Sequence, residues 1–380
     1  MIKKVVCILL IVLLSFPLSG CWNYVGLNQI AIVTGIAIDQ NTADGNYQLT
    51  FEIVDLTTSS KEGGVKSKIV ESQGETVFDA IRNAKKRLLN KLFFSSTEII
   101  VISSKIAREQ GINSIIDFFI RDAEPRENLH LIVSQEATAK DFIVNNGIVD
   151  PIAAFEVSKI IDKDSRITAS TKDVPLYKVF GILKDKGISL VLPAFHCVTN
   201  DKEKVPEANG IAVFKKDKLL GYLTADETRY YLLTANAING GVLTCSLVPN
   251  QHDTISLEIK SNKTKIIHSY SGNQVSIVIK TQTEVYLDEA AIKVDNANEQ
   301  ELDQIKKAAE AKIKQNITEL LRKVQSEFDS DIFGFGNQIY KTDSKLWNEV
   351  GENWDDQFKK INFVVEPEVE ILNTGSLKSN

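Results

Sequence analysis

The chain has 380 residues, with 44 Lys and Arg against 50 Asp and Glu and a formal charge of −6. Hydrophobic residues at 43% and charged residues at 25% match globular usage, and the length exceeds what one core supports, predicting about two or three domains. The acidic balance, with no long basic block and no aromatic–basic interleaving, argues against nucleic acid as a partner.

Met1-Ile2-Lys3-Lys4 gives a positive start, Val5 to Leu18 is almost wholly apolar, and Ser19 and Gly20 precede Cys21. This order is that of a secretory signal peptide over residues 1–20. The run is short for a permanent span, because a hydrocarbon core of roughly 30 Å takes about 20 helical residues. Leu18-Ser19-Gly20-Cys21 resembles the lipobox of bacterial lipoproteins, whose cysteine is acylated and becomes the first residue after cleavage. Two acyl chains, at about 0.8 kcal/mol per buried methylene, would hold the protein at a membrane surface. No later stretch approaches the length of a membrane span, so the lipid bilayer is expected to be reached through acylated Cys21 alone. The remainder reads as a water-soluble body on the outer face of a cytoplasmic membrane.

Residues 22–172 read as an N-terminal α/β domain. AIVTGIAID from Ala31 and the stretch Tyr47 to Asp55 form a hairpin, with a short strand near Lys68 to Glu71. Thr76 offers an N-cap for a helix on which Val77, Phe78, Ile81, Ala84, Leu88 and Leu89 fall at helical spacing. Thr97 to Ser103 is the next strand, Ile112 to Arg121 a helix facing inward through Ile115, Ile116 and Phe119, and Leu129 to Ser134 another strand. Helices follow near Thr138 to Asn145, Pro151 to Ile161 and Pro175 to Lys186, with proline in the first turn of the last two. Gly187 closes the third. The polar stretch Asp162 to Asp173 is the expected linker.

A middle domain is expected over 173–247, its strand 189–198 a candidate to pair with the hairpin of 30–55. The polar stretch Thr199 to Asn209 marks a possible boundary. A hairpin turning at Lys216-Asp217 and a helix from about Asp226 to Ala237 follow. The C-terminal α/β domain, 248–375, opens with two long strands, Thr254 to His268 and Val275 to Leu287, around Ser271-Gly272-Asn273. A helix over 299–328 carries one apolar stripe, Leu302, Ile305, Ala309, Ile313, Ile317, Leu320, Val324 and Phe328, and so lies across a sheet. The last strand, Ile361 to Leu372, contains Pro367, which suggests an edge position or a bulge. The fold class is mixed α/β (α+β), with helices packed on several mixed sheets.

Chemistry-bearing patterns are sparse. His130, His196, His252 and His268 belong to no ligand spacing, so no metal or cofactor is expected. Of the later cysteines, Cys197 and Cys245 could pair in an exported protein, although strand-like apolar surroundings favour two buried thiols. No Gly-x-Ser-x-Gly elbow or phosphate loop is present, and Gly334-Phe335-Gly336 lacks a dinucleotide fingerprint, so no catalytic residue is assigned. Two acidic–basic groups remain, Arg121, Asp122, Glu124 and Arg126 after one helix, and Glu227 with Arg229 at the start of another. Interleaved opposite charges fit ion pairs or an interaction surface better than an acid–base pair.

Five blocks in order carry a family resemblance: Gly20-Cys21-Trp22-Asn23 leading to AIVTGIAID; LFFSSTEIIVIS with DFFIRDAEPRENLHLIVS; ATAKDFI; GIAVFKKDKLLGYLTADETRYYLL; and DIFGFGNQIYK with LWNEVGENWDDQF. Together they resemble the Ger(x)C family, the lipoprotein C subunits of spore germinant receptors in endospore-forming bacteria. Family members usually carry acidic residues at the positions of Asn23 and near Gly26, and a histidine where Ser95 and Ser96 stand. The resemblance implies three mixed α/β domains without known catalysis. It also implies a lipoprotein on the outer face of the spore's inner membrane, assembled with A-type and B-type integral membrane subunits in a nutrient-sensing complex. The alternative reading is a solute-binding lipoprotein serving a transporter.

Overall fold

The computed structural model describes residues 26, 29–41, 43–56, 65–122, 124–145, 148–247, 254–290 and 298–373. The expected signal peptide and Cys21 lie outside the described residues.

Strands β1 (Ile30–Gln40) and β2 (Tyr47–Asp55) form the expected hairpin, and β3 (Lys66–Gly74) extends it. Helix α1 (Val77–Ala84) starts at Thr76, whose Oγ1 accepts from Asp79 N. The apolar spacing suggested a helix reaching Leu89, but α1 ends at Ala84. The next residues turn into β4 (Lys91–Phe93), leaving Leu89 96% exposed. Then come β5 (Ile99–Ser103), α2 (Ser104–Glu109), α3 (Asn113–Arg121), β6 (His130–Ser134), α4 (Ala139–Ile143), α5 (Ala153–Ile167) and α6 (Leu176–Lys184). Strands β7 (Val191–Asn200), β8 (Glu203–Lys215) and β9 (Lys218–Leu223) complete the first sheet.

The order across that sheet is β3-β2-β1-β5-β6-β7-β8-β9, with β4 beside β1. From β1 through β7 the ladders are parallel, and both flanks are antiparallel. A parallel centre must be covered on both faces, which is why β5 and β6 are buried at every position. Ile100 and Ile102 face a core built with α1, α2, α3 and α6, while Ile99 and Val101 face one built with α4 and α5.

Three expectations change here. Strand 189–198 pairs with β6 and β8, not with the 30–55 hairpin, because β5 and β6 intervene. Hence the strands expected in a middle domain continue the N-terminal sheet. The stretch 199–209 is paired strand on both sides of Asp201, with Val205 buried against the ladder. The stretch 162–173 is no linker either: α5 runs on to Ile167, and the buried Asp164 accepts from Thr168, Ser170 and the Thr171 N–H, folding the turn upon itself.

Helix α7 (Ala225–Thr234) leads to the second sheet, ordered β10 (Val242–Ser246), β11 (Thr254–Ser271), β12 (Gln274–Ala290) and β13 (Asn362–Asn373). Pro367 sits on β13 at the edge, as its missing N–H requires. Helix α8 (Glu299–Lys323) and a π-turn, Val324–Phe328, cross this sheet with Ile305, Ala309, Ile313, Ile317, Leu320, Val324 and Phe328 buried. Helices α9 (Phe335–Thr342), α10 (Ser344–Val350) and α11 (Trp354–Lys360) close its end. The core beneath α8 also takes in Val191, Ile211, Val213 and Leu223 of the first sheet, so the two sheets share one hydrophobic cluster through α7. Cys197 and Cys245 stand on different sheets and are not joined in a disulfide.

Candidate functional site

Helices α1 and α3 and strand β4 enclose a groove of about 820 Å³. Helical spacing aims Phe78, Ile81, Arg82 and Lys85 of α1 into it, opposite Phe118 of α3 and the β4 residues Lys91 and Leu92. The floor is aromatic, with the Phe78 and Phe118 ring centroids 6.0 Å apart and Phe118 edge-on to Phe119 at 5.0 Å. The Arg82 guanidinium lies 4.9 Å above the Phe78 ring.

Three of the four candidate residues after α3 line this groove. Arg121 pairs with Asp117 at 2.7 Å, one helical turn back, and the bond holds the Asp117 carboxyl below its ordinary pKa. Asp122 Oδ1 accepts the Glu124 N–H at 3.1 Å, and the Glu124 carboxylate reaches Lys91 at 3.4 Å. Ser95 donates to the Glu124 carbonyl at 3.1 Å, so it pins the same loop. Arg126 is exposed and outside the groove.

Glu227 and Arg229 lie elsewhere, on α7. Thr224 and Glu227 form a reciprocal capping box, and the Glu227 carboxylate also receives Lys323 of α8 at 2.7 and 2.9 Å. Arg229 pairs with Asp226 at 3.0 Å and reaches the Thr168 carbonyl at 3.5 Å. Here Glu227 caps α7 and ties it to α8, and Arg229 holds α7 to the end of α5.

The sequence reading missed a set of buried acids. Glu52, buried on β2, accepts from Thr34 Oγ1 at 2.9 Å and from the N–H groups of Ala153 and Ala154 at 2.8 and 3.0 Å. Asp39 accepts the N–H groups of Ala139 and Lys140 at 2.8 and 2.9 Å. Thus two carboxylates of one hairpin satisfy the N-termini of α5 and α4, where the helix dipole favours negative charge. Burial nevertheless raises the pKa of both above the ordinary value. An acidic residue at an inward strand position is the one signal that could have flagged them.

Asp331 is a third such group. It accepts from Gly334 N at 2.9 Å, Gly336 N at 2.8 Å and Trp354 Nε1 at 3.1 Å. Burial pushes its carboxyl up to about 6 despite those donors. It stands beside a cleft of about 750 Å³ where the first sheet meets helices α10 and α11, crossed by Lys215 paired to Asp329 and Asp355 at 2.7 and 3.2 Å.

His130, in no ligand pattern by spacing, is brought between Asp173 at 2.8 Å and Asp162 at 3.6 Å. These three could hold a cation. Both imidazole nitrogens already face carboxylates, which suits a charged ring. Burial opposes that charge, but the Asp173 hydrogen bond and the charges of Asp173, Asp162 and Glu98 leave the pKa raised.

The fold thus defines a two-sheet α+β scaffold whose polar groups cap helices and hold segments distant in sequence. Residues 23–196 match the family model described as spore germination protein N-terminal domain, and residues 209–375 match that described as spore germination B3/GerAC like, C-terminal. The chain belongs to the Ger(x)C family of spore germination proteins. It is 24% identical to spore germination protein KC of Bacillus subtilis (strain 168) over 100% of this chain and 98% of that one. It is 25% identical to spore germination protein B3 of the same organism, over 95% of each. The crystal structure of the GerBC protein superposes with a TM-score of 0.56 at 22% identity, covering 89% of this chain and 97% of that one. That likeness bears on the fold.

Proposed function

We propose that this protein is the lipid-anchored C subunit of a nutrient germinant receptor, acting in spore germination by assembly with an A-type and a B-type integral membrane subunit, without catalysis of its own. The observation that carries the reading is the succession of two spore germination family models along 23–196 and 209–375. The order of charge, apolar run, small residues and Cys21 supports acylation and a place on the outer face of the spore's inner membrane. No helix among the described residues is long and apolar enough to cross a membrane.

Tagged protein recovered from spore membranes is expected to bring both polytopic subunits with it, and recovery of the lipoprotein alone would sink the reading. Cys21→Ala is expected to keep the folded body and release it from membranes; a variant still sedimenting with membrane would mean that the partners hold it unaided. The 820 Å³ groove favours one alternative, a solute-binding lipoprotein. A nutrient at 100 times its Kd would then raise stability by about 2.7 kcal/mol, so a flat thermal-shift panel speaks against it.

A further inference from the structure

The described fold begins, for practical purposes, at β1, and Ile30 is in parallel register with Lys91, the first residue of β4. Asn90 Nδ2 donates to the Ile30 carbonyl at 3.2 Å, closing the two strand starts against each other. The chain leading back to Cys21 therefore leaves the sheet beside the turn that joins α1 to β4. Seven residues lie between Gln29 and Cys21, so the eight Cα steps span at most about 28 Å when fully extended. Whatever surface surrounds this turn is within that reach of the acylated cysteine.

That surface has the composition of a membrane contact. Residues 77–91 carry five cations, Arg82, Lys85, Lys86, Arg87 and Lys91, against one carboxylate, Asp79, in a chain whose net charge is −6. Among the described residues, Arg82, Lys85, Lys86 and Arg87 have no ion-pair partner, whereas nearby Lys91 and Arg121 are paired to Glu124 and Asp117. Arg87 donates to a backbone carbonyl, that of Glu71, at 2.7 Å. In the turn directly after these cations Leu89 is 96% exposed, the highest value of any large exposed apolar side chain described, and Phe78 at the groove is 49% exposed. A solvated face gains nothing from an exposed leucine that follows four exposed cations without ion-pair partners. An anionic bilayer surface rewards both, because the leucine enters the acyl boundary while the cations stay at the headgroups.

We infer that the α1–β4 turn, with Leu89 and Phe78 as apolar contacts and Arg82, Lys85, Lys86 and Arg87 as headgroup contacts, docks the first sheet onto an anionic phospholipid surface. This inference rests on the lipid-anchored reading above. The anchor sets local concentration and the patch sets orientation: β1 enters the sheet at the membrane side, and the groove between α1 and α3 opens toward the headgroups. The rest of the acidic body is then held away from them, which resolves the repulsion that its net charge implies.

The test uses lipidated full-length protein carrying Leu89→Cys, reconstituted into neutral phosphatidylcholine vesicles or vesicles containing phosphatidylglycerol, and treated with a water-soluble maleimide. The background is low, since burial pushes the Cys197 thiol up to about 11 and Cys245 is buried. Reaction at position 89 is expected to slow by about tenfold in the anionic vesicles alone. Adding Lys85→Glu, Lys86→Glu and Arg87→Glu is expected to restore the neutral-vesicle rate. Equal rates in both vesicles would overturn the docking. So would protection confined to native spore membranes, which would assign the patch to a protein partner. Flotation of the wild-type protein with neutral vesicles reports the anchor separately, and its loss would overturn the anchor reading instead.

Discussion

The indole N–H of Trp354 donates to Asp331 Oδ2 at 3.1 Å, across 23 residues of chain and inside the buried junction where the two sheets meet. Together with the Gly334 and Gly336 N–H groups it makes one carboxylate the fixed point of the DIFGFG segment. Asp331→Ala leaves two buried donors and one half-buried donor without an acceptor and is expected to cost about 3 kcal/mol, read by chemical denaturation. The folded carboxyl, at about 6, binds its proton more tightly than the unfolded one at 3.8. This group therefore favours folding most at low pH, and that contribution is lost as pH rises from about 4 through 6. The wild type is expected to lose its advantage over Asp331→Ala in part across that window; a constant difference would count against the assignment.

Gly336 is held against the same tryptophan. A Cβ there would fall 2.4 Å from Trp354 Cε2 and 2.8 Å from the Gly187 Cα, and neither an indole wedged in a core nor a backbone atom yields easily. Gly336→Ala is expected to destabilise by about 2–3 kcal/mol, seen as a lower denaturation midpoint at unchanged slope.

Glu227 does two jobs, capping α7 and receiving Lys323. Glu227→Ala is expected to cost about 1–2 kcal/mol and Lys323→Ala about half that, because only the first also loses the cap. A double-mutant cycle between them should return a coupling of about 0.5–1 kcal/mol. A coupling near zero would show that the pair is solvent-screened and that capping is the whole effect.

His130 favours its charged form in the folded state. Its stabilisation is complete below the ordinary value of 6.5 and is lost as pH rises through the raised folded value. Asp173→Asn removes the closest carboxylate, so the imidazole is expected to titrate at lower pH by NMR and the stability loss to move down with it. An unmoved titration would mean that Asp162 and Glu98 carry the effect.

Much of the fold was legible because its causes are local. Period-two and period-3.6 patterns located β1, β2, β11, β12 and α8, and Thr76 and the 271–273 turn fixed where elements start. The errors came where local signals mislead. Polarity suggested a linker at 162–173, but Asp164 uses those polar groups as hydrogen-bond partners. Apolar spacing suggested a helix through Leu89, although Leu89 is not buried. The groove was half visible: Arg121, Asp122 and Glu124 were singled out, but the α1 side of it was not.

By itself the sequence determined what depends on neighbours in the chain: the element types, the apolar stripe of α8, and the charge, apolar run and cysteine that predict a lipid anchor. The tertiary structure decided what depends on residues far apart. Glu52 meets Ala153 and Asp39 meets Ala139 over about a hundred residues, and β7 joins β6 in place of the hairpin. A buried carboxylate needs donors from wherever the chain packs, and a strand needs whichever edge is open. Neither requirement leaves a mark at fixed spacing.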